Sequence, residues 1–415
     1  MKLDQPWLKD PAVQKVVQAI KAAGGEARFV GGCVRDAILG RKLGDFDLAT
    51  TLRPEAVQAA CEKAGCKVVP TGIKHGTVTV IADHQVFEVT TLRRDVATDG
   101  RWAEVEYTND WQQDAARRDF TMNALFCDAD GNVTDFFGGI DDLKAGLVRF
   151  VGEPEQRIKE DVLRILRFFR FFAHYGKGEP DASGLAACKA LVSLLPALSV
   201  ERVRTELLKL LQADNPVPTW QLMLDIGVFK ALDLPLGNIE RLDQVVRHEN
   251  TLSSQRRLGS ISGQPDGVGM DASLRWHDKL SVRRLWATLE RDYPEIGAKL
   301  RLSNDEAQRL KALSNFPLPF AGEEKGGGIY RLAYAHGVQA VLDALIVSGQ
   351  ATAPGVEQLM NWKKPHFPLN GADLAKLGVE PGPRMGEILS KVEQWWIDRD
   401  FVPDHQKLTE FAKKV

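Results

Sequence analysis

The stretch between Phe29 and Asp47 constrains the fold of this chain more than any other part of its sequence. Apolar residues from Phe29 predict a short strand that ends in the glycine pair Gly31 and Gly32, and the following residues predict the start of a helix. A second predicted strand begins at Asp45 and includes Asp47. Because side chains two residues apart on a strand point to the same face, both carboxylates are expected on one side of a sheet.

A carboxylate pair and a glycine turn are both typical of sites that bind a nucleotide with a metal ion. Two carboxylates on one face provide the hard oxygen ligands that Mg²⁺ prefers. The glycine pair lets a polyphosphate approach the backbone where a helix begins. Taken alone, a glycine pair is usually a simple turn, and an Asp-x-Asp motif is usually a solvated loop. Their order and close spacing favour a nucleotide held by its phosphates beside a metal site.

Length and charge limit the classes of protein to consider. With 415 residues, the chain is long enough for about three domains, or for one head with an extended helical body. Its apolar content of 44% and charged content of 27% are ordinary for a soluble globular protein. The net charge of −2 gives no global attraction to nucleic acid, so any RNA contact has to come from a local patch.

The sequence predicts a cytoplasmic protein with reduced cysteines and no membrane segment. Five scattered cysteines lack the spacing of a zinc site or a disulfide framework, which favours a reducing compartment. They are Cys33, Cys61, Cys66, Cys127 and Cys188. The N-terminus shows no signal-peptide pattern, and no apolar run approaches the length of a membrane span.

The predicted elements divide the chain into an α+β part and a helical remainder. Helices are expected at 11–23, at 33–39 and from Pro54, and strands at 27–31, 45–49, 67–70, 77–82 and 86–91. From about residue 146 the pattern is helical almost to the end, with Gly- and Pro-rich breaks at 261–272 and 317–328. This order predicts the α+β class with a long helical C-terminal part.

Two further features of the α+β part are an acidic residue within a strand and a polar segment after it. Glu88 alternates with Phe87 and Val89, so it either adds a third carboxylate to the aspartate pair or is an ordinary surface glutamate. Residues 93–112 are polar, lack a clear period and contain a glycine, which predicts a mobile loop.

A short polar cluster follows this loop. Arg118 is preceded by a second arginine, and Asp119 and Asn123 lie one helical turn apart. Neighbouring arginines are commonly solvent-facing, but these two precede a short apolar stretch. Arginine with such partners is suited to ribose and phosphate oxygens, so we include Arg118, Asp119 and Asn123 among the candidates for nucleotide binding.

The predicted helix 156–173 carries a second set of chemically interesting residues. One face is apolar, with Val162, Ile165, Leu166, Phe169 and Phe172, and the other is charged, with Glu160, Asp161, Arg164, Arg167 and Arg170. Such a charged face is usually solvated and stabilised by i,i+3 and i,i+4 pairs. However, Phe168 and Phe171 project within the charged arc, which predicts burial on both sides. The charged groups then need partners, because an unpaired buried charge is costly.

A nucleobase is a suitable partner for Asp161 and Arg164. Cytosine and adenine present an amine donor beside a ring-nitrogen acceptor, whereas uracil and guanine present a carbonyl acceptor beside an N–H donor. Aspartate only accepts hydrogen bonds and arginine only donates them, so the pair matches C and A. Groups left unpaired opposite U or G would provide the discrimination.

Five motifs in order along the chain resemble those of bacterial class II CCA-adding enzymes, which are tRNA nucleotidyltransferases of the polymerase β superfamily. These motifs are GGCVRD (31–36), GDFD (44–47), RRDFTMNA (117–124), DFFGGIDDL (135–143) and EDVLRILR (160–167). The segment SVERVRTEL (199–207) is similar to the next neck motif of the family. The segments LNGADL (369–374) and PGPRMG (381–386) are similar to parts of its C-terminal region.

The resemblance implies a polymerase-β-like head with a mixed sheet, followed by an all-helical neck, body and tail. The implied domains are a catalytic head (1–145), a neck that recognises the base (146–215), a body that binds tRNA (216–350) and a tail that binds tRNA (351–415). One departure from many relatives is that no HD hydrolase domain is recognisable. The lone pair His277–Asp278 is expected to be structural.

The resemblance also implies roles for the acidic residues and for the base-reading pair. Asp45 and Asp47 would hold two Mg²⁺ ions, with Glu88 as a possible third catalytic acid. Asp161 and Arg164 would read the incoming base, with Glu160 supporting the arginine.

Further residues are assigned to the sugar and the phosphates by the same resemblance. Arg118, Asp119 and Asn123 would hold the ribose and help to position the nucleotide, and Arg35 would lie near the triphosphate. The expected nucleotide-binding set is completed by Gly31, Gly32 and Arg167.

The implied reaction is the template-independent addition of C, C and A to the 3′ end of tRNA from CTP and ATP, with release of pyrophosphate. Loop 93–112 is expected to move during the switch from C to A. A bacterial poly(A) polymerase shares the head motifs, but GIKHGTV (72–78) and loop 93–112 are more similar to the CCA-adding pattern. A specialised CC-adding or A-adding enzyme is another alternative. A catalytically silent RNA-binding protein is disfavoured by the intact aspartate pair.

Overall fold

The computed structural model describes residues 1–41, 46–73, 76–99, 102–261, 280–289, 295–315 and 328–415. These residues form two compact units, Met1–Leu234 and Pro235–Val415. Asp45 and the pair His277–Asp278 lie outside the described residues, as do nearly all residues of the predicted breaks at 261–272 and 317–328. The four-domain division at residues 145, 215 and 350 remains a prediction.

The first unit begins with an α+β head whose elements follow the predicted order. Its strands are β1 (Ala27–Val30), β2 (Phe46–Thr50), β3 (Lys67–Gly72), β4 (Thr77–Ala82), β5 (Gln85–Thr91), β6 (Arg93–Asp99), β7 (Trp102–Tyr107), β8 (Leu125–Cys127) and β9 (Val133–Asp135). Its α-helices are α1 (Pro11–Ala22), α2 (Gly32–Ile38), α3 (Pro54–Lys63), α4 (Trp111–Ala116) and α5 (Gly139–Ala145). Short 3₁₀ helices lie at Pro6–Lys9 and Thr121–Asn123.

Seven of these strands form one mixed sheet in the order β3-β4-β5-β2-β1-β8-β9. Strands β2 and β5 are parallel, and the other neighbours are antiparallel. The parallel pairing sets Asp47 of β2 directly beside Glu88 of β5. The predicted α+β class and the mixed sheet of the head are confirmed.

The core of the head explains why these segments fold as predicted. Helix α1 buries Val13, Val16, Val17 and Ile20, which are the residues of its predicted apolar face. On the sheet, Phe46 stacks on Phe87 with ring centroids 5.5 Å apart, and Phe29 packs edge-on to Phe46. Since side chains alternate along a strand, burial of this face turns Asp47 and Glu88 to the opposite face.

The prediction of a mobile loop at 93–112 is wrong in its secondary structure. Strands β6 and β7 form an antiparallel hairpin as a separate two-stranded sheet, and α4 follows. The cross-strand pair of Arg94 and Glu106 is 2.7 Å apart and supports the register. The sequence signal was the Asp-Gly dipeptide at 99–100, which is typical of a tight hairpin turn. This dipeptide was interpreted as part of a loop because β6 is mostly polar, although the sequence of β7 alternates between apolar and polar residues at 103–107.

The helical part of the first unit differs from the prediction at one point. Its helices are α6 (Pro154–Glu160), α7 (Arg164–Tyr175), α8 (Ala182–Leu191), α9 (Val200–Leu210), α10 (Val217–Asp225) and α11 (Val228–Ala231), with a 3₁₀ helix at Val192–Ala197. The single predicted helix 156–173 is therefore two helices. Asp161 has extended backbone angles, φ −149° and ψ 105°, and its Oδ1 accepts a hydrogen bond of 3.1 Å from the Leu163 N–H. A side chain that bonds to the backbone two residues further on competes with helical hydrogen bonding, which favours the end of one helix and the start of the next.

Helix α7 is buried on both sides, as its aromatic pattern predicts. Ile165, Leu166, Phe169 and Phe172 are buried on the apolar face, and Phe168 and Phe171 are also buried. Phe168 stacks on Phe150 at 5.6 Å. The arginines of this helix are therefore close to buried surfaces, where their positive charges need acidic or hydrogen-bonding partners.

The second unit is helical wherever the structure describes secondary structure in it. Its helices are α12 (Ile239–Ile261), α13 (Leu280–Thr288), α14 (Ile296–Lys299), α15 (Asn304–Asn315), α16 (Gly328–His336), α17 (Val338–Val347), α18 (Ala353–Asn361), α19 (Gly371–Lys376), α20 (Pro383–Ile397) and α21 (His405–Ala412). The last three pack around a common apolar core that includes Leu374, Val392, Trp396 and Leu408. Among the described residues, no helix is both long enough and apolar enough to cross a membrane.

A buried charge cluster lies within the second unit. Glu249 accepts hydrogen bonds from the Nε atoms of Arg283, at 2.8 Å, and Arg284, at 2.7 Å. Arg283 also donates to Asp343, which in turn accepts from Arg309. Glu249, Arg283, Arg284 and Asp343 are each at most 2% exposed. Burial by itself would lower the pKa of Arg283, but the two carboxylates outweigh it and raise the pKa above its usual value.

Candidate active site

The two carboxylates Asp47 and Glu88 are the centre of the candidate site. They are register partners in the parallel pairing of β2 and β5, so their Cα atoms are about 5 Å apart and their side chains share a face. Asp47 is half-buried and Glu88 is exposed. Asp45, which was predicted to form the metal-binding pair with Asp47, precedes β2 and lies outside the described residues.

The donor chemistry of this pair fits a divalent metal ion. Carboxylate oxygens are the ligands preferred by Mg²⁺, and two of them from neighbouring strands can bind one hard cation together. Within the described parts of the chain, no three His, Cys, Asp or Glu side chains are grouped to hold a metal. Asp47 and Glu88 therefore supply two of the oxygen donors that such an ion needs.

The glycine turn lies next to Asp47. Gly31 has φ +69° and ψ −118°, a backbone conformation that residues with a side chain rarely adopt. The Cys33 thiol in the first turn of α2 contacts the carbonyl oxygens of Val30 at 3.4 Å and Asp47 at 3.7 Å. Burial raises the pKa of Cys33 to about 11, so this thiol is a packing group rather than a nucleophile.

The arginine Arg118 faces this turn. A Cβ atom built on Gly31 would lie 3.7 Å from Arg118 Nη1, so the guanidinium and the glycine backbone border the same space. Asp114 of α4 holds Arg118 through a bond of 2.9 Å and also pairs with Arg117. Burial lowers the pKa of Arg118, although Asp114 opposes this effect.

A chain of hydrogen bonds joins four of the predicted nucleotide-binding residues. Arg167 of α7 donates to Asp119 Oδ2, with an Nε distance of 2.7 Å. Asp119 Oδ1 accepts from Asn123 Nδ2 at 3.0 Å, and Asn123 Oδ1 accepts from Arg35 Nη1 at 2.7 Å. Burial by itself would raise the pKa of Asp119, but Arg167 and the hydrogen bonds outweigh it and hold the pKa below its usual value. Asp119 is therefore a charged, fixed acceptor.

Arg35 occupies a more enclosed position than the resemblance implies. It is 7% exposed, and it donates from Nε and Nη2 to the two oxygens of Asp36, each at 3.0 Å. Its guanidinium lies 4.2 Å from the ring centroid of Tyr175. The contacts of Arg35 indicate that it orients Asn123, whereas a direct contact with a triphosphate remains a prediction.

Arg164 is held by the carboxylate that was predicted to support it. Its Nη1 donates to Glu160 Oε2 and to the Arg157 carbonyl, each at 2.8 Å, and its Nη2 donates to the Arg117 carbonyl at 3.2 Å. Arg157 also donates to Glu160, so two arginines share this carboxylate. Within the described structure, the Arg164 Nε–H and one Nη2–H have no hydrogen-bond acceptor. These donors remain available for a ring nitrogen.

Asp161 is paired with a residue that sequence reasoning did not select. Arg202 of α9 donates from Nη2 to Asp161 Oδ1 at 3.0 Å and to Oδ2 at 2.8 Å. The structure therefore does not place the Asp161 carboxylate against Arg164. The two side chains leave the same backbone turn, in which the Arg164 N–H donates to the Asp161 carbonyl at 3.0 Å.

Two family descriptions match parts of the chain. Residues 27–149 match the Poly A polymerase head domain. Residues 180–235 match the family described as the probable RNA and SrmB-binding site of polymerase A. These ranges cover the sheet with the Asp47–Glu88 pair and the helices from α8 to α11.

Curated relatives match nearly the whole chain. A mitochondrial CCA tRNA nucleotidyltransferase 1 from Mus musculus is 32% identical over 428 residues, which cover 100% of this chain and 93% of the relative. The chain belongs to the family of CCA-adding tRNA nucleotidyltransferases. A CCA-adding enzyme from Lactobacillus johnsonii is 31% identical and covers 96% of each chain.

Solved structures of CCA-adding enzymes have the same fold. The Bacillus stearothermophilus enzyme in complex with CTP matches with a TM-score of 0.73 at 24% identity, over 99% of this chain and 98% of that chain. The Thermotoga maritima enzyme complexed with tRNA matches with a TM-score of 0.59 at 20% identity, over 97% and 95% of the two chains. The polymerase-β-like head with a helical body is confirmed by this likeness. Nucleotidyltransferases of this family generally use a divalent metal.

Several residues that organise the site of this CCA-adding family member were missed by sequence reasoning. Asp114 holds Arg118, and Glu206 of α9 pairs with Arg170 and lies 3.9 Å from Arg167. The segment SVERVRTEL contained the signal for Glu206 and Arg202, because a charged neck motif beside an arginine-rich helix predicts ion pairs. Only the three-dimensional structure shows which partner each side chain selects.

Proposed function

We propose that this protein adds C, C and A to the 3′ end of tRNA, using CTP and ATP and releasing pyrophosphate. The observation that carries this proposal is its 32% identity, over the entire chain, to a relative named CCA tRNA nucleotidyltransferase. The Asp47–Glu88 pair beside the Gly31 turn supports the reaction class, because it combines metal-binding carboxylates with a place for phosphates.

The carboxylates are proposed to hold Mg²⁺, with Asp45 completing the ligand set. A metal ion bound there would lower the pKa of the attacking 3′ hydroxyl and stabilise the charge on the leaving pyrophosphate. Asn123 is proposed to donate to the ribose from its second Nδ2–H, since its bonds to Asp119 and Arg35 fix its orientation. Asp119 accepts two hydrogen bonds on each oxygen, from Asn123 and the Phe120 N–H and from two N–H groups of Arg167, so it is proposed to hold these groups in place for the ribose. Arg118 is proposed to help position the nucleotide from its place beside the glycine turn.

The base is proposed to be read without a nucleic-acid template by Asp161 and Arg164. Arg164 keeps free donors for the ring nitrogen of C or A, and Glu160 and two backbone carbonyls fix its guanidinium. A carboxylate accepts only, so Asp161 suits the exocyclic amine of either base. Neither side chain complements the pairing edge of U or G.

The second unit is proposed to hold the tRNA by shape and phosphate contacts. Exposed basic residues, which suit a phosphate backbone, lie on the segment after α18 and on helices α19 and α20: Lys363, Lys364, Lys376, Arg384 and Lys391. The acidic residues of this unit keep its overall charge low, so electrostatic attraction of tRNA is restricted to the surface that carries these basic residues. The cytoplasmic location predicted from the unpaired cysteines belongs to this proposal as well.

A poly(A) polymerase is the second candidate function, because both family descriptions carry that name. The two activities differ in the length of their product. With CTP, ATP and Mg²⁺, a tRNA that ends at the discriminator nucleotide is expected to gain three nucleotides and then stop, as seen on a sequencing gel. An unstructured RNA of equal length serves as the control and is expected to remain unextended. Long A tails on that RNA would favour the poly(A) polymerase function.

Asp161→Asn tests the base-reading role. The amide keeps the size of the side chain but replaces an obligate acceptor by a group that also donates, so it can face the carbonyl of U or G. Loss of a charge-assisted hydrogen bond costs roughly 1.5–3 kcal/mol, which is about tenfold to a hundredfold in rate if the bond is made in the transition state. We expect slower addition of C and A and a narrower preference over U and G. Competition among the four nucleoside triphosphates measures this preference, and an unchanged preference would assign base reading to other residues.

A further inference from the structure

The contact between Arg202 and Asp161 links base choice to a second helix. Arg202 lies on α9, and its Nη2 bridges both oxygens of the Asp161 carboxylate, which belongs to the break between α6 and α7. The two side chains are 36% and 30% exposed. Ion pairs with this degree of exposure contribute little to stability. The main consequence of the contact is therefore the orientation of the carboxylate.

The remaining hydrogen-bonding capacity of Asp161 can be counted. A carboxylate offers about four acceptor positions, two on each oxygen. The Leu163 N–H and Arg202 both donate to Oδ1, whereas Arg202 alone donates to Oδ2 among the described residues. One acceptor position on Oδ2 is left. Without Arg202, the Leu163 N–H would be the remaining contact of this carboxylate in the described structure, and the terminal torsion of an aspartate is broad.

We propose that Arg202 is a positioning residue for nucleotide selection, which turns the free acceptor position of Asp161 Oδ2 toward the exocyclic amine of the incoming base. This inference rests on the proposed function, in which Asp161 reads the base. Arg202 acts through Asp161 and does not contact the nucleotide. The planar guanidinium suits this task because its donors have a fixed geometry relative to both oxygens.

The preference for CTP over UTP distinguishes a positioning role of Arg202 from a purely structural role. If the ion pair between Arg202 and Asp161 served only the fold, its loss would lower the rates of C addition and U addition by the same factor. Loss of an oriented acceptor lowers addition of C more than of U, since only cytosine donates to that acceptor. The ratio of kcat/KM for CTP to that for UTP, measured on one enzyme preparation, is independent of the fraction of folded protein.

The experiment compares Arg202→Gln, Arg202→Lys and Asp161→Asn with the control Lys209→Gln. Lys209 is exposed on the same helix, so this control removes one positive charge from α9 away from Asp161. The substrate is a tRNA that already ends in the first C, so that each full-length variant adds a single nucleotide from CTP or from UTP. We expect Arg202→Gln to lower the CTP/UTP ratio about tenfold, in line with the loss of one oriented hydrogen bond. Arg202→Lys should restore part of the ratio, and Lys209→Gln should leave it unchanged.

Two other results would overturn the inference in distinguishable ways. An unchanged ratio in Arg202→Gln together with a lowered ratio in Asp161→Asn would show that Asp161 reads the base without help from Arg202. Unchanged ratios in both variants would remove Asp161 from base reading, and the base-reading part of the proposed function would fail with it.

Discussion

Replacement of Asp47 by alanine is expected to lower nucleotide addition about a thousandfold or more. Asp47 lies beside Glu88 on the face of the sheet opposite the aromatic core, and its carboxylate is proposed to bind the metal. A metal ion contributes several kcal/mol to stabilising the transition state, and about 1.4 kcal/mol corresponds to a factor of ten in rate. The measurement is the rate of CTP incorporation into a tRNA that lacks CCA.

Controls separate this effect from a change in fold. The variant Glu55→Ala removes an exposed carboxylate from the start of α3 and should retain the wild-type rate. Thermal unfolding and tRNA binding of Asp47→Ala should be close to those of the wild-type protein, because the side chain is only half-buried. Near wild-type turnover by Asp47→Ala would exclude it from the metal site.

Replacement of Glu249 by alanine is expected to destabilise the second unit by about 3–5 kcal/mol. The change leaves Arg283 and Arg284, both nearly fully buried, without the carboxylate that they share. Loss of one partner from a buried ion pair typically has a cost of this size, since the remaining charge is uncompensated. Asp343 still pairs with Arg283, but the same carboxylate also pairs with Arg309. Thermal unfolding monitored by circular dichroism measures the effect.

The control for this variant is Asp243→Ala on the same helix. Asp243 pairs with Arg247, which is 78% exposed, so its loss should leave the unfolding midpoint nearly unchanged. At a temperature where both variants are folded, their nucleotide addition should be similar. An unfolding midpoint of Glu249→Ala equal to that of the wild-type protein would show that the arginines have other adequate partners.

The fold of the head could be predicted from sequence where local periodicity determines the elements. The apolar face of α1 and the strands on either side of the glycine turn each arise from residues that are neighbours in the sequence. The hairpin β6–β7 was missed because β6 is mostly polar and lacks the alternation of a strand, although the sequence of β7 alternates at 103–107. The break at Asp161 was missed because a local hydrogen bond from the Leu163 N–H to the Asp161 side chain overrides a helical sequence pattern that continues through it.

The candidate site was predictable in its residue types but not in its pairings. The aromatic residues of α7 indicated that its arginines need partners, and a nucleobase was one suitable choice. The protein itself provides partners for them, namely Asp119 for Arg167 and Glu206 for Arg170. These pairs are 48 and 36 residues apart in sequence, and periodicity contains no information about such contacts. The same holds for Glu249 and Arg283.

This protein is expected to build CCA on tRNA by selecting bases with its own side chains. The most direct measurement is sequencing of the 3′ ends of a tRNA transcript that lacks CCA, after incubation with Mg²⁺ and all four nucleoside triphosphates at equal concentrations. Most completed ends are expected to read C, C, A with no further nucleotide. Ends with U or G at these positions, or runs of A without the two preceding C residues, would contradict it.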